Sequence, residues 1–365
     1  MNHPRTIEGI SAPWLTDILR GASILRRASV RAVDVRAIGE GLGFLSGRAR
    51  VTISYDQTEE GAPATVVVKL PASIKASSDF AESTHAYERE IRFYREVAPR
   101  TPIRVPRVFA TIMDPAEKVF ILVMEDLKGL IAGDQVAGMT RAQVLAAART
   151  IAPLHALWWN GDQRQLLPWV PSVEQQMAML SLTPEAIRTA WPLFLKTFGE
   201  SLPPGGRALG ERIIQHLESI LAAFVKGKRT LAHFDYRADN LFIDDLSRKD
   251  PIVVVDWQLA MWALGAYDVA RLAGDSISPA ERGGHHEEIV ECWHEGLVAG
   301  GVTDYSREEA WHDYRLSAIM AMLNPVLFHY MFKTGGARGT ALGSAMTERL
   351  FCDLAECGAE AVVPP

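Results

Sequence analysis

Hydrophobic and polar positions follow two different patterns along the chain. Before residue 125, short runs rich in β-branched residues recur between polar or glycine-bearing turns, which is typical of strands. The strands predicted in this way are 33–38, 49–55, 65–70, 107–113 and 119–124. Apolar residues at helical spacing predict a short amphipathic helix over 13–27, interrupted near Gly21, and a second helix over 80–97, ended by Pro99.

After residue 128 the pattern is mostly helical. Thr140 is a good N-cap for a helix that runs to about residue 159, and Pro153 predicts a kink in it. Further helices are predicted over 172–180, 184–197, 208–225 and from about 279 onward, with one compact β feature at 241–243 and 252–255. We therefore predict an α+β fold of two lobes: a small N-terminal β-rich lobe (1–124), a hinge (125–128) and a large, mainly helical C-terminal lobe (129–365).

Composition and charge limit the classes of molecule that the chain is expected to bind. The chain has 365 residues, of which 48% are apolar and 22% charged, with a formal net charge of −6. A nucleic-acid partner is not expected, because phosphate-backbone binding needs clustered Lys and Arg. We expect no membrane association, a cytoplasmic location with three reduced cysteines, and a monomer or homodimer. A small molecule is the expected partner.

The strongest chemical signal is the octapeptide HFDYRADN at residues 233–240, followed by an apolar strand that ends in Asp256. Phosphoryl transfer needs one carboxylate to orient the acceptor hydroxyl and take its proton, and Asp235 has that position. The Asn240 carboxamide and the Asp256 carboxylate offer the hard oxygen ligands that magnesium prefers. The alternative is an ordinary turn, since Asp and Asn favour turns.

These residues resemble the aminoglycoside phosphotransferase and choline kinase-like superfamily, which has a protein-kinase-like fold, and within it the bacterial branch similar to ecdysteroid kinase-like proteins. The family's H-G-D-x-x-x-x-N motif matches His233, Phe234, Asp235 and Asn240, with Phe234 in place of the usual glycine. The resemblance implies ATP and Mg²⁺ as cofactors and Asp256 as a metal ligand. It also implies supporting roles: His233 braces the loop, and Asp268 accepts main-chain hydrogen bonds from it.

Lys69 closes the third predicted strand, where kinase-like proteins hold the α- and β-phosphates, although a lone lysine is more often solvated. Its carboxylate partner is Glu88 or Glu90, and the family's E-x-x-F-Y pattern favours Glu90. The alternative for either glutamate is a surface pair with a nearby arginine.

Two further segments are candidates for nucleotide contact. The glycine-rich connection 39–47 allows main-chain N–H groups to approach phosphates closely, and Gly41, Gly43 and Ser46 are the expected contacts. In the resembled family the hinge pairs with adenine through main-chain groups, here the Glu125 carbonyl and the Leu127 amide. A plain interlobe linker is the structural alternative.

Other residues are interpreted as structural or left open. His155 is predicted to be a packed core histidine, and the His285–His286 segment a solvated helix face. The tryptophans at 158, 159, 169 and 191 are core candidates, some of which could line an acceptor pocket. We expect an ATP-dependent O-phosphotransferase for a largely apolar small molecule. The alternatives are a non-catalytic nucleotide-binding regulator and a kinase for a cationic acceptor of the aminoglycoside or choline type.

Overall fold

The computed structural model describes residues 3–39, 46–160, 162–332 and 337–364. The chain forms two compact units. The first unit consists of Met1–Thr101, Val105–Leu130 and Val255–Gln258, and the second of Pro102–Arg104, Ile131–Val254 and Leu259–Pro365. The boundaries differ from the predicted lobes in one respect that matters for the site, because the segment around Asp256 belongs to the first unit.

The first unit is built on one five-stranded antiparallel sheet with the strand order β1-β2-β3-β5-β4. Its elements are α1 (Ala12–Gly21), β1 (Val30–Ala37), β2 (Ser46–Tyr55), β3 (Thr65–Pro71), α2 (Lys75–Ser83), α3 (Ala86–Arg92), β4 (Val108–Asp114) and β5 (Val119–Glu125). All five predicted strands are therefore present, with ends that move by a few residues.

Helix α1 covers the sheet of the first unit. Ser11 caps its N-terminus by accepting a hydrogen bond from the Trp14 main chain at 3.5 Å. The buried side chains of Trp14, Leu15 and Leu19 join one hydrophobic core with β-branched residues of β2, β3 and β5. This packing orders the strands because each contributes alternate apolar side chains to the same face.

The prediction of a single helix over 80–97 is wrong, because the structure divides this region between helices α2 and α3. Helix α2 ends at Ser83. The hydroxyl of its C-cap residue, Thr84, donates to the Phe80 carbonyl at 2.9 Å, and His85 then takes a left-handed backbone (φ 54°). Helix α3 restarts at Ala86 and continues into a π-helical turn, Phe93–Val97. A threonine whose hydroxyl bonds a main-chain carbonyl of the preceding helical turn favours such an interruption.

The second unit is mainly helical, with a two-stranded sheet and a three-stranded sheet. Its elements are β6 (Ile131–Ala132), α4 (Arg141–Leu157), α5 (Val173–Met179), α6 (Pro184–Phe198), α7 (Gly206–Gln215), α8 (Leu217–Phe224), β7 (Arg229–Ala232), β8 (Leu241–Ile243), β9 (Ile252–Val254), β10 (Met261–Leu264), α9 (Ala266–Asp275), α10 (Pro279–Arg282), α11 (His286–Ala299), α12 (Arg307–Phe332) and α13 (Ala337–Glu356). The helix predicted over 208–225 is two helices that meet at His216.

Helix α9 is the centre of the second unit, since it is buried over its whole length. It packs against α4, α11, α12 and α13. Helix α4 begins with the capping box predicted at Thr140: the Thr140 hydroxyl accepts from the Gln143 main chain at 3.3 Å, and the Gln143 side chain accepts from the Thr140 main chain at 2.9 Å. The helix continues through Pro153 to Leu157.

Two further findings concern the chain as a whole. Cys292, Cys352 and Cys357 are free thiols. In the described part of the chain, no helix combines the length and the apolar character needed to cross a membrane.

Candidate active site

The octapeptide 233–240 lies at a strand junction of the second unit. It starts directly after β7, contains a short 3₁₀ turn at Ala238–Asn240, and leads directly into β8. Strand β7 pairs with β10, and β8 pairs with β6 and β9, so ordered strands hold both ends of the loop.

Asp268, near the start of α9, holds the main chain of this loop. Its carboxylate accepts hydrogen bonds from the main-chain N–H groups of His233 at 2.7 Å and Phe234 at 2.8 Å. The His233 ring in turn accepts from the main-chain N–H of Asp235 at 3.2 Å. Asp268 and His233 are fully buried, so these bonds are shielded from water and fix the approach to Asp235.

His155 supports Asp268 from helix α4. Its Nε2 lies 3.1 Å from the Asp268 carboxylate, and its Nδ1 accepts a hydrogen bond from the indole of Trp293 at 3.0 Å. Because Nδ1 accepts, the ring proton lies on Nε2 and is donated to Asp268. The predicted core histidine is confirmed as buried, and it also belongs to the chain of bonds that ends at the loop.

Phe234 explains why its family position usually holds glycine. Its backbone is left-handed (φ 66°), a region that glycine enters freely and that other residues enter at a cost. Its ring is stacked on Tyr267, with centroids 4.1 Å apart and planes 15° apart. The loop thus keeps the glycine backbone while carrying a large side chain.

Asp235 is surrounded by three donors. Its Oδ1 accepts from Arg237 at 3.0 Å and from Arg271 at 2.9 Å, and its Oδ2 accepts from the Asn240 amide at 2.9 Å. Burial by itself raises the pKa of the Asp235 carboxyl, but the two guanidinium groups outweigh it, so this pKa lies below its ordinary value. Asp235 is therefore an ionised carboxylate at neutral pH, held in a fixed orientation.

Asn240 is oriented by the same residue. Its amide nitrogen donates to both the main-chain carbonyl and the side chain of Asp235, at 2.8 and 2.9 Å. Since the nitrogen is committed to Asp235, the amide oxygen is the atom left to bind a ligand. This orientation suits a metal-binding carboxamide.

A second layer of ion pairs holds the two arginines. Arg237 also bonds Asp239 at 2.7 Å and the Gln135 side chain, and Arg271 pairs with Asp275. The two carboxylates raise the pKa of the Arg237 guanidinium above its ordinary value, even though burial opposes them. Both arginines are thus fixed cations beside Asp235.

Lys69, Glu90 and Asp256 come together in the first unit. The Lys69 ammonium lies 2.7 Å from the Glu90 carboxylate and 3.1 Å from the Asp256 carboxylate. The choice between two glutamates is settled by position, because Glu88 pairs instead with Arg92 at 2.8 Å as an i,i+4 neighbour. Lys69 is 6% exposed, so the solvated alternative for this lysine does not hold.

The charges in this group do not balance. Two carboxylates share one ammonium, and all three groups are largely removed from water. Burial raises the pKa of Glu90 to about 7, with Asp256 adding to the increase and Lys69 opposing it. Lys69 therefore only partly offsets the burial of Glu90 and its repulsion by Asp256, and an added cation would relieve that repulsion.

The chain around Asp256 is fixed to the helix that carries Glu90. Asp256 has a left-handed backbone (φ 67°), and the next residue, Trp257, stacks on Phe93 with centroids 3.8 Å apart and planes 5° apart. Phe93 follows Glu90 by one helical turn. The stack thus holds the lysine's two carboxylate partners in register.

The glycine-rich connection is only partly described. Gly41 and Gly43 lie outside the described residues. Ser46 opens β2 and is paired with Pro71. Gly39 has a left-handed backbone (φ 70°), and a Cβ there would lie 3.0 Å from the Arg48 guanidinium, so only glycine leaves room for that side chain.

The predicted hinge is tied to the sheet of the first unit. Glu125 exchanges two bonds with Arg107: its main-chain N–H donates to the Arg107 carbonyl at 2.9 Å, and its carboxylate accepts from the Arg107 N–H at 2.8 Å. Asp126 accepts from Arg50 at 2.8 and 3.0 Å, and Leu127 is buried.

Comparison with known proteins fits this arrangement. The family model described as APH, phosphotransferase enzyme family, matches residues 45–311. The chain belongs to the phosphotransferase enzyme family. This confirms the aminoglycoside phosphotransferase and choline kinase-like superfamily and the predicted enzyme class. The narrower ecdysteroid kinase-like branch stays a prediction.

Solved structures of similar fold support the α+β, protein-kinase-like class. A choline kinase from Cryptosporidium parvum Iowa II has a TM-score of 0.56 at 10% identity, covering 96% of this chain and 97% of its own. The GDP complex of wild-type aminoglycoside 2'-phosphotransferase-IIIa gives 0.53 at 14%, covering 93% and 97%. A microcompartment-associated aminopropanol kinase gives 0.51 at 15%, covering 95% and 97%. Among curated proteins, none matches.

Three arginines of this phosphotransferase have no assigned role in the sequence analysis, although the structure places each against a predicted site residue. Arg237 and Arg271 contact Asp235, and Arg48 lowers the pKa of Glu90. Arg237 lies inside the octapeptide, so its contact with Asp235 could have been predicted from their spacing. Arg271 and Arg48 are distant in sequence from their partners, so the sequence offers no local pattern that predicts their positions.

Two minor predictions have different outcomes. The solvated face predicted for the His285–His286 segment holds for His285, which is exposed. It does not hold for His286, which is 2% exposed and whose Nε2 lies 2.9 Å from Asp353. Across the described ranges, no three His, Cys, Asp or Glu side chains form a cluster suited to a metal ion. Trp158 and Trp191 are buried core residues, as predicted.

Proposed function

We propose that this phosphotransferase moves the γ-phosphate of ATP to a hydroxyl group of a small molecule. The observation that carries the proposal is Asp235, an ionised carboxylate held by two guanidinium groups and the Asn240 amide. Phosphoryl transfer requires positioning and charge compensation more than strong basicity, which fits a carboxylate of lowered pKa.

Asp235 would orient the acceptor hydroxyl and receive its proton as the phosphoryl group leaves. His233 and Asp268 act on this step indirectly, because they hold the main chain on either side of the reacting carboxylate. The proton moves from the acceptor oxygen to a carboxylate oxygen, and the acceptor oxygen forms a bond to the γ-phosphorus. The bond between the γ-phosphorus and its bridging oxygen breaks, and ADP is the leaving group. Arg237 and Arg271 keep Asp235 in place until then.

Lys69 and Glu90 would hold the nucleotide phosphates in the N-terminal lobe, 1–124. Glu90 fixes the Lys69 ammonium at 2.7 Å and so presents it as a point charge. Gly41, Gly43 and Ser46 remain the proposed cover of the phosphates. The Glu125 carbonyl and the Leu127 amide remain the proposed adenine contacts in the hinge, 125–128.

Asp256 and Asn240 would supply oxygen ligands to magnesium. The fit is supported by the surplus negative charge around Asp256 and by the amide oxygen that Asn240 leaves to a ligand. Two protein ligands suffice, because magnesium in such sites takes its remaining ligands from phosphates and water. When bound, the ion would neutralise charge that develops on the phosphates.

A largely apolar acceptor is favoured over a cationic one. Aminoglycoside 2'-phosphotransferase-IIIa, choline kinase and aminopropanol kinase are named for amine or ammonium compounds. In this chain, however, the carboxylates near Asp235 are already paired with Arg237 and Arg271. In the part of the chain that the structure describes, an incoming ammonium would therefore find no carboxylate beside the reacting group that lacks a cationic partner. The C-terminal lobe, 129–365, is the proposed acceptor-binding part.

The test is a panel of hydroxylated compounds incubated with ATP and magnesium, scored by ADP release and by the mass of one added phosphoryl group. Asp235→Asn should lower kcat by about 10²–10⁴-fold and leave nucleotide binding intact. Asp245→Asn, an exposed change in the turn after β8, is the matched control. Near-normal turnover in Asp235→Asn would show that this carboxylate does not serve the reaction, and magnesium-independent nucleotide binding would favour a regulator.

A further inference from the structure

Phe234 combines an unfavourable backbone with a fixed, partly exposed ring. A non-glycine residue at φ 66° is strained, so glycine would be the stable choice at this position. Stacking on Tyr267 recovers part of that cost. An outlier of this kind next to a reacting group points to a use for the side chain.

The main chain and the ring of Phe234 are both held by neighbouring residues. The Phe234 N–H is bonded to Asp268 at 2.8 Å, and Tyr267 immediately precedes Asp268 on α9. The Tyr267 hydroxyl accepts a hydrogen bond from the Asn324 amide of helix α12 at 2.9 Å, and this bond fixes the Tyr267 ring. Tyr267 is 2% exposed whereas Phe234 keeps a partly exposed surface, so Phe234 is the accessible member of the stacked pair.

We propose that the Phe234 ring contacts the acceptor and selects neutral alcohols that carry a flat aromatic group near the hydroxyl. The inference rests on the proposed function, because it makes the neighbour of Asp235 one wall of the acceptor site. An aromatic face binds another ring by offset or edge contact, which a saturated ring of similar size makes less well.

Electrostatics decide between the two ligands that an aromatic ring attracts. A ring also binds ammonium groups through its face. Arg237 and Arg271, however, already pair with the adjacent Asp235 at 3.0 and 2.9 Å, so that carboxylate is not free to stabilise an ammonium held on the Phe234 ring. A neutral aromatic alcohol needs no such partner.

The test compares binding of 2-phenylethanol, 2-cyclohexylethanol and choline to the full-length protein by ligand-observed NMR titration. Wild-type protein should bind the phenyl compound about two- to tenfold more tightly than the cyclohexyl compound, and choline most weakly. Phe234→Leu, which keeps apolar volume without an aromatic face, should lose this preference, and so should Phe234→Gly. Asp235→Asn should keep the preference.

The outcomes separate this inference from the proposed function. Because binding is measured without turnover, failure of phosphoryl transfer in the wild type contradicts the proposed function alone. Equal binding of the two neutral alcohols, binding of neither, tighter binding of choline, or an unchanged preference in Phe234→Leu each overturns the role of Phe234. Phe234→Gly should fold, since glycine favours this backbone, and its melting temperature checks this.

Discussion

The two units treat charge in opposite ways. In the first unit a single cation, Lys69, lies between two carboxylates at 2.7 and 3.1 Å. In the second unit a single carboxylate, Asp235, lies between two guanidinium groups at 3.0 and 2.9 Å. The first arrangement has surplus negative charge and gains from an added cation, whereas the second is already compensated.

The pKa shifts show what the difference means. Burial raises the pKa of Glu90, and the nearby Lys69 only partly opposes that increase. Burial also acts to raise the pKa of Asp235, but Arg237 and Arg271 outweigh it, so the pKa of Asp235 is lowered. A proposed metal and phosphate site benefits from surplus charge that a ligand neutralises. A proposed hydroxyl-orienting carboxylate benefits from being ionised at every working pH. Breaking either arrangement should therefore give different signatures.

The largest expected effect is on stability and comes from removing the single cation. Lys69→Met leaves the buried Glu90 and the partly buried Asp256 without their shared partner, and should lower the free energy of unfolding by about 3–5 kcal/mol at pH 8. The loss should be smaller at pH 6, because Glu90 can then take a proton. Urea titrations measure both values.

Lys75→Met is the matched control, since that lysine is exposed and its pair with Asp79 lies at the surface. The double variant Lys69→Met, Glu90→Gln should recover part of the loss. If Lys69→Met lost no more stability than Lys75→Met at pH 8, the surplus charge of the first unit would have no effect on its stability.

The next effect is the pH dependence of stability. Glu90 has a pKa of about 7 in the folded protein against an ordinary value of 4.5, so its protonated form stabilises the fold. This contribution is complete below about pH 4.5 and is lost as the pH rises through 7, an effect of up to about 3 kcal/mol. Glu90→Gln should flatten the decline in stability from pH 5 to pH 8.

Glu88→Gln is the control, because Glu88 pairs with Arg92 on the outer side of the same helix. It should keep the wild-type slope. A Glu90→Gln protein with the same slope as wild type would mean that another group titrates in this range.

How far the sequence could predict these arrangements depends on the distance that a pattern spans. The five strands of the first unit were readable from β-branched runs, and Asp235 with Asn240 from one octapeptide. The break at Thr84 and His85 was not, because apolar spacing continues across it while a local hydroxyl bond ends the helix. The contact of Arg271 with Asp235 depends on tertiary packing of α9, and no local pattern records it.

A smaller effect tests the compensated carboxylate of the second unit. Arg271→Met removes one of two cations from Asp235, so the pKa of Asp235 should rise. Because Asp235 must be ionised to accept a proton, the acidic limb of the kcat profile should move to higher pH by about one unit. Arg271→Lys keeps the charge and should move it less.

Arg248→Met, an exposed arginine that pairs with Asp244, serves as the control and should leave the profile in place. An Arg271→Met enzyme that is slower by the same factor at every pH would indicate that Arg271 only supports the fold, through its bond to Asp275.

The smallest expected effect concerns Arg48, a second cation that acts on Glu90 beside Lys69. Arg48 lies opposite Lys69 in the pairing of β2 with β3, and it lowers the pKa of Glu90 less than Lys69 does. Arg48→Met should therefore change the pH-dependent part of the free energy of unfolding by less than about 0.5 kcal/mol. The exposed variant Arg36→Met, measured beside it, is the control. A change as large as the one in Glu90→Gln would mean that Arg48 compensates the two carboxylates as fully as Arg237 and Arg271 compensate Asp235. The first unit would then have no surplus negative charge, and its proposed need for magnesium would lose its electrostatic basis.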